Sequence, residues 1–111
     1  MASTATIHPC TIANGQTVSN AVDLGENGIC GLIIPASFTG TTIKFQTSDD
    51  LAGTYQSLTN TDGTDFTVQV AAGKNNIIRP INLAGWRFVK VVSGSAEAAD
   101  RIVKIMARHV E

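Results

Sequence analysis

The sequence predicts an all-β fold, a single-domain β-sandwich or jelly roll of about seven to eight antiparallel strands with a polar N-terminal arm. Three observations point there. Apolar and polar residues alternate, most clearly over residues 41–48, where Ile43, Phe45 and Thr47 share one side and Lys44, Gln46 and Ser48 the other. Turn residues recur roughly every 8–12 positions, the rhythm of a sandwich. Thirteen threonines stand among the polar residues, and a β-branched side chain suits a pleated surface. A chain of 111 residues makes one domain, large enough to bury a core without staples.

Taken in order, residues 1–16 (MASTATIHPCTIANGQ) are polar and interrupted by Pro9 and Gly15. They read as an arm or an edge segment, with the sandwich over 17–111. Removing residues 1–14 is therefore expected to leave the fold intact and to weaken assembly. Residues 17–22 are the better first strand. Residues 23–28 read as a turn, and 29–36 (ICGLIIPA) as a strand buried on both faces and closed by Pro35. The strand at 41–48 leads into the acidic turn SDDLAG, after which Tyr55 and Leu58 restart an apolar run. Asp62 and Gly63 mark the next turn. Phe66, Val68 and Val70 then share a side opposite Thr67 and Gln69.

Residues 71–76 turn again, and the run 77–83 carries Pro80, which places it at an edge or a bend. Residues 86–92 (WRFVKVV) form the strongest strand signal, and 93–99 (SGSAEAA) a small polar loop. The last segment, RIVKIMARH, fits two periods. Ile102, Ile105 and Met106 make a helical stripe; Val103, Ile105 and Ala107 make a strand face. Three β-branched residues within four positions favour the strand.

Charge narrows the function classes. Charged residues make up 15% of the chain, well below the roughly 25% of an average soluble domain. A surface so poor in charge carries less of the repulsion that keeps monomers apart, which points to life inside an assembly. The net charge of −1 argues against a nucleic-acid binder that neutralises phosphates. Residues 1–72 hold one cation, Lys44, against six acids; residues 73–111 hold seven Lys/Arg against three. Such a split makes opposite edges of neighbouring subunits complementary, or places opposite charges on facing strands of one sandwich. No signal peptide opens the chain and no window reaches the roughly 18–20 apolar residues of a membrane span, so synthesis in a reducing cytoplasm and no membrane partner are expected.

Chemistry-bearing residues are sparse. His8 beside Cys10 lacks a nucleophile elbow and an oxyanion-hole glycine pair, and His109 lies at the other terminus. No catalytic residue, and hence no enzyme, is expected. Cys10 and Cys30 have no metal-ligand spacing and are expected as separate thiols. Asp49, Asp50, Asp62 and Asp65, with Asn60, converge on a cation only if both loops share one end of the sandwich; solvated turn aspartates are the simpler account, so neither metal nor cofactor is expected. Trp86 opens an alternating strand with Phe88 on the same parity and is expected as a core or rim anchor. A groove presenting Trp86 or Tyr55 with loop Asp or Asn would instead bind a glycan. The candidate partner-binding residues are Ile7, Pro9 and Ile12 near the N-terminus and Arg79, Arg87 and Lys90 in the basic third.

Over residues 31–108 the sequence resembles a group of small tailed-bacteriophage structural proteins. The matching pieces are the apolar strand ending at Pro35, then Phe45-Gln46-Thr47-Ser48-Asp49, then Ala84-Gly85-Trp86-Arg87-Phe88-Val89-Lys90-Val91 with Ser93-Gly94, and a closing apolar strand. It is also similar to the galactose-binding-like (discoidin-type) jelly roll, though Ser48-Asp49-Asp50 lacks the glycine that follows in that pattern. The phage resemblance implies a capsid decoration or cement protein, a homotrimer on the virion surface whose partner is the major capsid protein. A tail or head–tail connector component and a carbohydrate-binding module are the alternatives.

Overall fold

The computed structural model describes residues 5–78 and 85–109. Within them the chain forms nine strands and no helix: β1 (Thr6–Ile12), β2 (Val22–Asp23), β3 (Asn27–Ile33), β4 (Thr42–Ser48), β5 (Gln56–Ser57), β6 (Thr67–Gln69), β7 (Asn75–Ile77), β8 (Phe88–Ser93) and β9 (Arg101–His109). They make a four-stranded sheet in the order β1-β9-β3-β7 and a five-stranded sheet in the order β2-β8-β4-β5, with β6 also on β4. All pairings are antiparallel. The protein is an all-β single-domain sandwich, an arrangement compatible with a jelly roll.

Alternation sets the inner faces. β4 turns Ile43, Phe45 and Thr47 inward, all within 6% exposure, and β9 turns Val103, Ile105 and Ala107 inward. The strand period in RIVKIMARH wins because every second residue of β9 meets the opposite sheet. β8 buries Val89 and Val91, the other parity from Trp86, Phe88 and Lys90. Trp86 is accordingly 40% exposed and not a core anchor.

Two segments depart from expectation. The run at 29–36 was expected to be buried on both faces; β3 instead begins at Asn27, carries a bulge between Ile29 and Gly31, and leaves Ile33 half-buried. The extra residue, Cys30, lets Ile29 and Leu32 both reach the core. Gly31 faces outward beneath β7, where a Cβ would lie 2.9 Å from the Asn76 carbonyl oxygen, so only glycine permits that approach. The second is the N-terminal segment, read as an arm or an edge segment. β1 pairs with β9 over seven residues and buries Cys10 and Ile12 completely. It is an edge strand of the sandwich, and removal of residues 1–14 would strip two core side chains instead of leaving the fold intact.

The first strand expected at 17–22 reduces to a single bridge from Val18 to Val92 and the two-residue β2. Pro80 lies outside the described residues. Asp62 and Gly63 do turn the chain, with Gly63 at φ 88°, a left-handed conformation that favours glycine.

Candidate interaction surfaces

The outer face of the four-stranded sheet is built by register. Ile7 lies opposite Met106, Met106 opposite Gly31, and Gly31 opposite Ile77, so one cross-strand row carries three large apolar side chains. The next row runs Pro9, Lys104, Ile33 and Asn75; beyond it Thr11 faces Ile102. Ile7, Ile102 and Ile77 are 56%, 49% and 91% exposed. No strand of this sheet contains an Asp or Glu, while Lys104 and Arg108 stand exposed on β9. At one end Ile33, Pro35, Asp100, Arg101, Ile102 and Lys104 line a shallow groove of about 440 Å³. The face is apolar, with Lys104 and Arg108 on its strands and Asp100 at its margin.

The β1 edge of the same sheet is engaged at Thr11. Thr11 N–H donates to Asn20 Oδ1 at 2.8 Å, and the Asn20 amide donates to the Thr11 carbonyl at 3.3 Å. Thr11 therefore directs its backbone away from β9, and Pro9, two residues earlier, puts its N–H-less nitrogen toward the same open side. A proline there forfeits no ladder bond and discourages edge-to-edge pairing.

The candidate residues separate accordingly. Ile7 and Pro9 come together on the outer face. Ile12 is wholly in the core, with no exposure to offer a partner. Arg79 lies outside the described residues. Arg87 belongs to the other sheet, where its guanidinium pairs with Asp23 at 2.7 and 3.0 Å; that contact, with the Gly25 amide, holds the Asp23 carboxyl below its ordinary range. Lys90 places its ammonium 4.6 Å from the Tyr55 ring centroid. The charges of Arg87 and Lys90 are thus satisfied within the chain. Ile77, Ile102 and Met106 escaped sequence reasoning. Ile102 and Met106 are the outward parity of RIVKIMARH, a usable signal, but the placement of Ile77 needs the β3–β7 register.

A second concavity lies at the end of the sandwich where β4 leaves and β8 enters. It measures about 470 Å³ and is walled by Trp86 and by Asp49, Thr54, Gln56, Ser57 and Thr59. Tyr55 is not part of it: its hydroxyl donates to the Leu51 carbonyl at 2.8 Å, and Lys90 covers its ring.

The remaining polar groups serve the fold. Glu97 is 1% exposed. Its carboxylate accepts from Thr39 N–H at 2.8 Å, Gly40 N–H at 3.1 Å, Ser93 Oγ at 3.0 Å and Arg101 Nε at 3.3 Å. Burial pushes its pKa up, but these donors outweigh burial and hold it below the ordinary value. Gly40 fits because a Cβ there would collide with Ser93 Oγ. The cluster ties the 37–40 loop and the 94–100 loop to β8 and β9. Its sequence signal was slight: one acid in a small-residue loop, four positions before Arg101.

Burial pushes the Cys10 thiol up to about 11, so it stays protonated at neutral pH. His8 Nε2 is 2.8 Å from Thr6 Oγ1. Cys30 and Cys10 are separate thiols. Asp62 accepts from the Thr64 amide and hydroxyl, and Asp65 pairs with Lys44 at 3.0 Å. Among the described residues no three His, Cys, Asp or Glu side chains converge. Compared with family models, curated proteins and solved structures, the chain matches none.

Proposed function

We propose that the protein is a structural component of a phage virion, a capsid decoration or cement protein that binds the assembled head shell and stabilises it as a symmetric oligomer, a trimer. The resemblance over residues 31–108 supplies the shell. The observation that supports the reading is the outer face of the four-stranded sheet, with Ile7, Ile102 and Ile77 at 56%, 49% and 91% exposure and no acid on any of its strands. Isolated exposed apolar residues are ordinary, but several gathered on one outer sheet face mark a contact surface. The complementary partner is an apolar patch on the major capsid protein with an acidic rim, which Lys104 and Arg108 meet.

Such a protein acts by binding the closed shell more tightly than its loosened form, and repetition at symmetric positions adds avidity. Asp49, Asp50 and Asp62 sit in loops of the five-stranded sheet, away from that face. Heterologous contacts between copies close into a ring where the rotation permits, the geometry a trimer requires.

Co-sedimentation with assembled phage heads tests the proposal. The native chain is expected to pellet with heads, and Ile77→Asp and Ile102→Asp to stay in the supernatant with unchanged thermal melting. Immunogold label is expected over the whole head and not at the tail. Failure of the native chain to bind heads overturns the proposal.

A further inference from the structure

The groove beside Trp86 is on the other sheet from the proposed shell contact and has no part in it. Its walls combine two properties. The indole of Trp86 is 40% exposed, a large flat apolar surface held at the rim. Asp49, Thr54, Gln56, Ser57 and Thr59 are all exposed on the remaining walls. Among the described residues, none of these five side chains makes a hydrogen bond or ion pair within the chain. This contrasts with their neighbours: Ser48 Oγ accepts from the Asp50 amide at 3.2 Å, and the Tyr55 hydroxyl is engaged by Leu51. Free donors and acceptors therefore concentrate in a concavity that also has an aromatic wall.

We propose that this groove is a carbohydrate site that takes a neutral pyranose, its apolar ring face stacked on Trp86 and its hydroxyls toward Asp49 and Gln56. The chemistry of each wall matches such a ligand. A pyranose has one face of C–H groups, which packs on an indole, and a perimeter of hydroxyls that both donate and accept. A carboxylate accepts from two adjacent hydroxyls, while the Gln56 amide and the Thr54, Ser57 and Thr59 hydroxyls offer donors and acceptors together. The volume of about 470 Å³ falls within the range of small-molecule sites. A purely apolar ligand would leave the polar wall unmatched, and an anion would meet Asp49.

Trp86 is the sole tryptophan of the chain, so its fluorescence reports on this groove alone. The full-length protein is titrated with a panel of neutral methyl pyranosides (galactoside, glucoside and mannoside), with the acyclic polyol sorbitol as control. At least one pyranoside is expected to shift the emission to the blue saturably and to protect it from acrylamide quenching, while sorbitol does neither. Asp49→Asn is expected to weaken that binding by about tenfold, the loss of one charge-assisted hydrogen bond. In Trp86→Ala, amide shift changes at residues 49–59 are expected to vanish while the rest of the spectrum keeps its dispersion. Ile77→Asp is expected to bind the sugar normally, which separates this site from the shell contact. No saturable response to any pyranoside, or an equal response to sorbitol, overturns the proposal.

Discussion

Phe45 and Glu97 represent two ways in which single residues hold this sandwich together. Phe45 is 1% exposed, its ring centroid 6.0 Å from that of Phe66. Truncation to alanine opens a cavity between the sheets and is expected to destabilise the fold by about 3–5 kcal/mol, measured by denaturant unfolding. Glu97 works through polarity. Removing its carboxylate in Glu97→Ala strands the Arg101 guanidinium and the Thr39 and Gly40 amides, an expected loss of roughly 3–5 kcal/mol. Its pH dependence has a definite sign. The folded carboxyl titrates below its ordinary value of 4.5, so in that window the unfolded chain binds the extra proton. The contribution is complete above about pH 4.5 and is lost as pH falls through the folded value. Acid titrations of stability in the native protein and Glu97→Gln are expected to converge there. Phe45 was legible from strict alternation in TTIKFQTS. Glu97 was not, because its partners come from loops far apart in sequence and a lone acid in SGSAEAA looks solvated.

Among the elements, β1 and β9 teach the most. β9 was readable as a strand from three β-branched residues, although its spacing also suited a helix. β1 was harder to place, since Pro9 and a polar composition also describe a frayed arm. What decides it is the neighbour: β9 offers a full-length edge, Pro9 turns its nitrogen toward the open side, and Cys10 and Ile12 fall on the inner face. Deletion of residues 1–14 strips two wholly buried side chains and seven paired positions from the sheet. The truncated chain is expected to lose cooperative thermal unfolding, not merely assembly; retention of a native melting transition would show that the rest of the sandwich closes without β1. The bulge at Cys30 was invisible in ICGLIIPA, because a continuous apolar run does not reveal which of its residues leaves the alternation.

For the whole molecule, the uneven charge along the chain does not divide by sheet: Lys104 and Arg108 stand on the four-stranded sheet, Lys44 and Lys90 on the five-stranded one. Among the described residues three ion pairs form, Lys44–Asp65, Arg87–Asp23 and Arg101–Glu97, and of these Arg87–Asp23 joins the acidic first part of the chain to its basic last third. The reading of the charge split within one sandwich thus has one pair to serve it. Of the six candidate contact residues, Ile7 and Pro9 sit on the apolar face, Ile12 is interior, Arg87 and Lys90 are engaged on the opposite sheet, and Arg79 lies outside the described residues. The apolar row itself depends on cross-strand register, which no local window carries. Its role is tested most directly by a cryo-EM map of assembled phage heads saturated with the protein. Density at symmetric surface sites, with Ile7, Ile77 and Ile102 turned against the shell, is the predicted result; heads without added density, or copies seated by the five-stranded sheet, would contradict it.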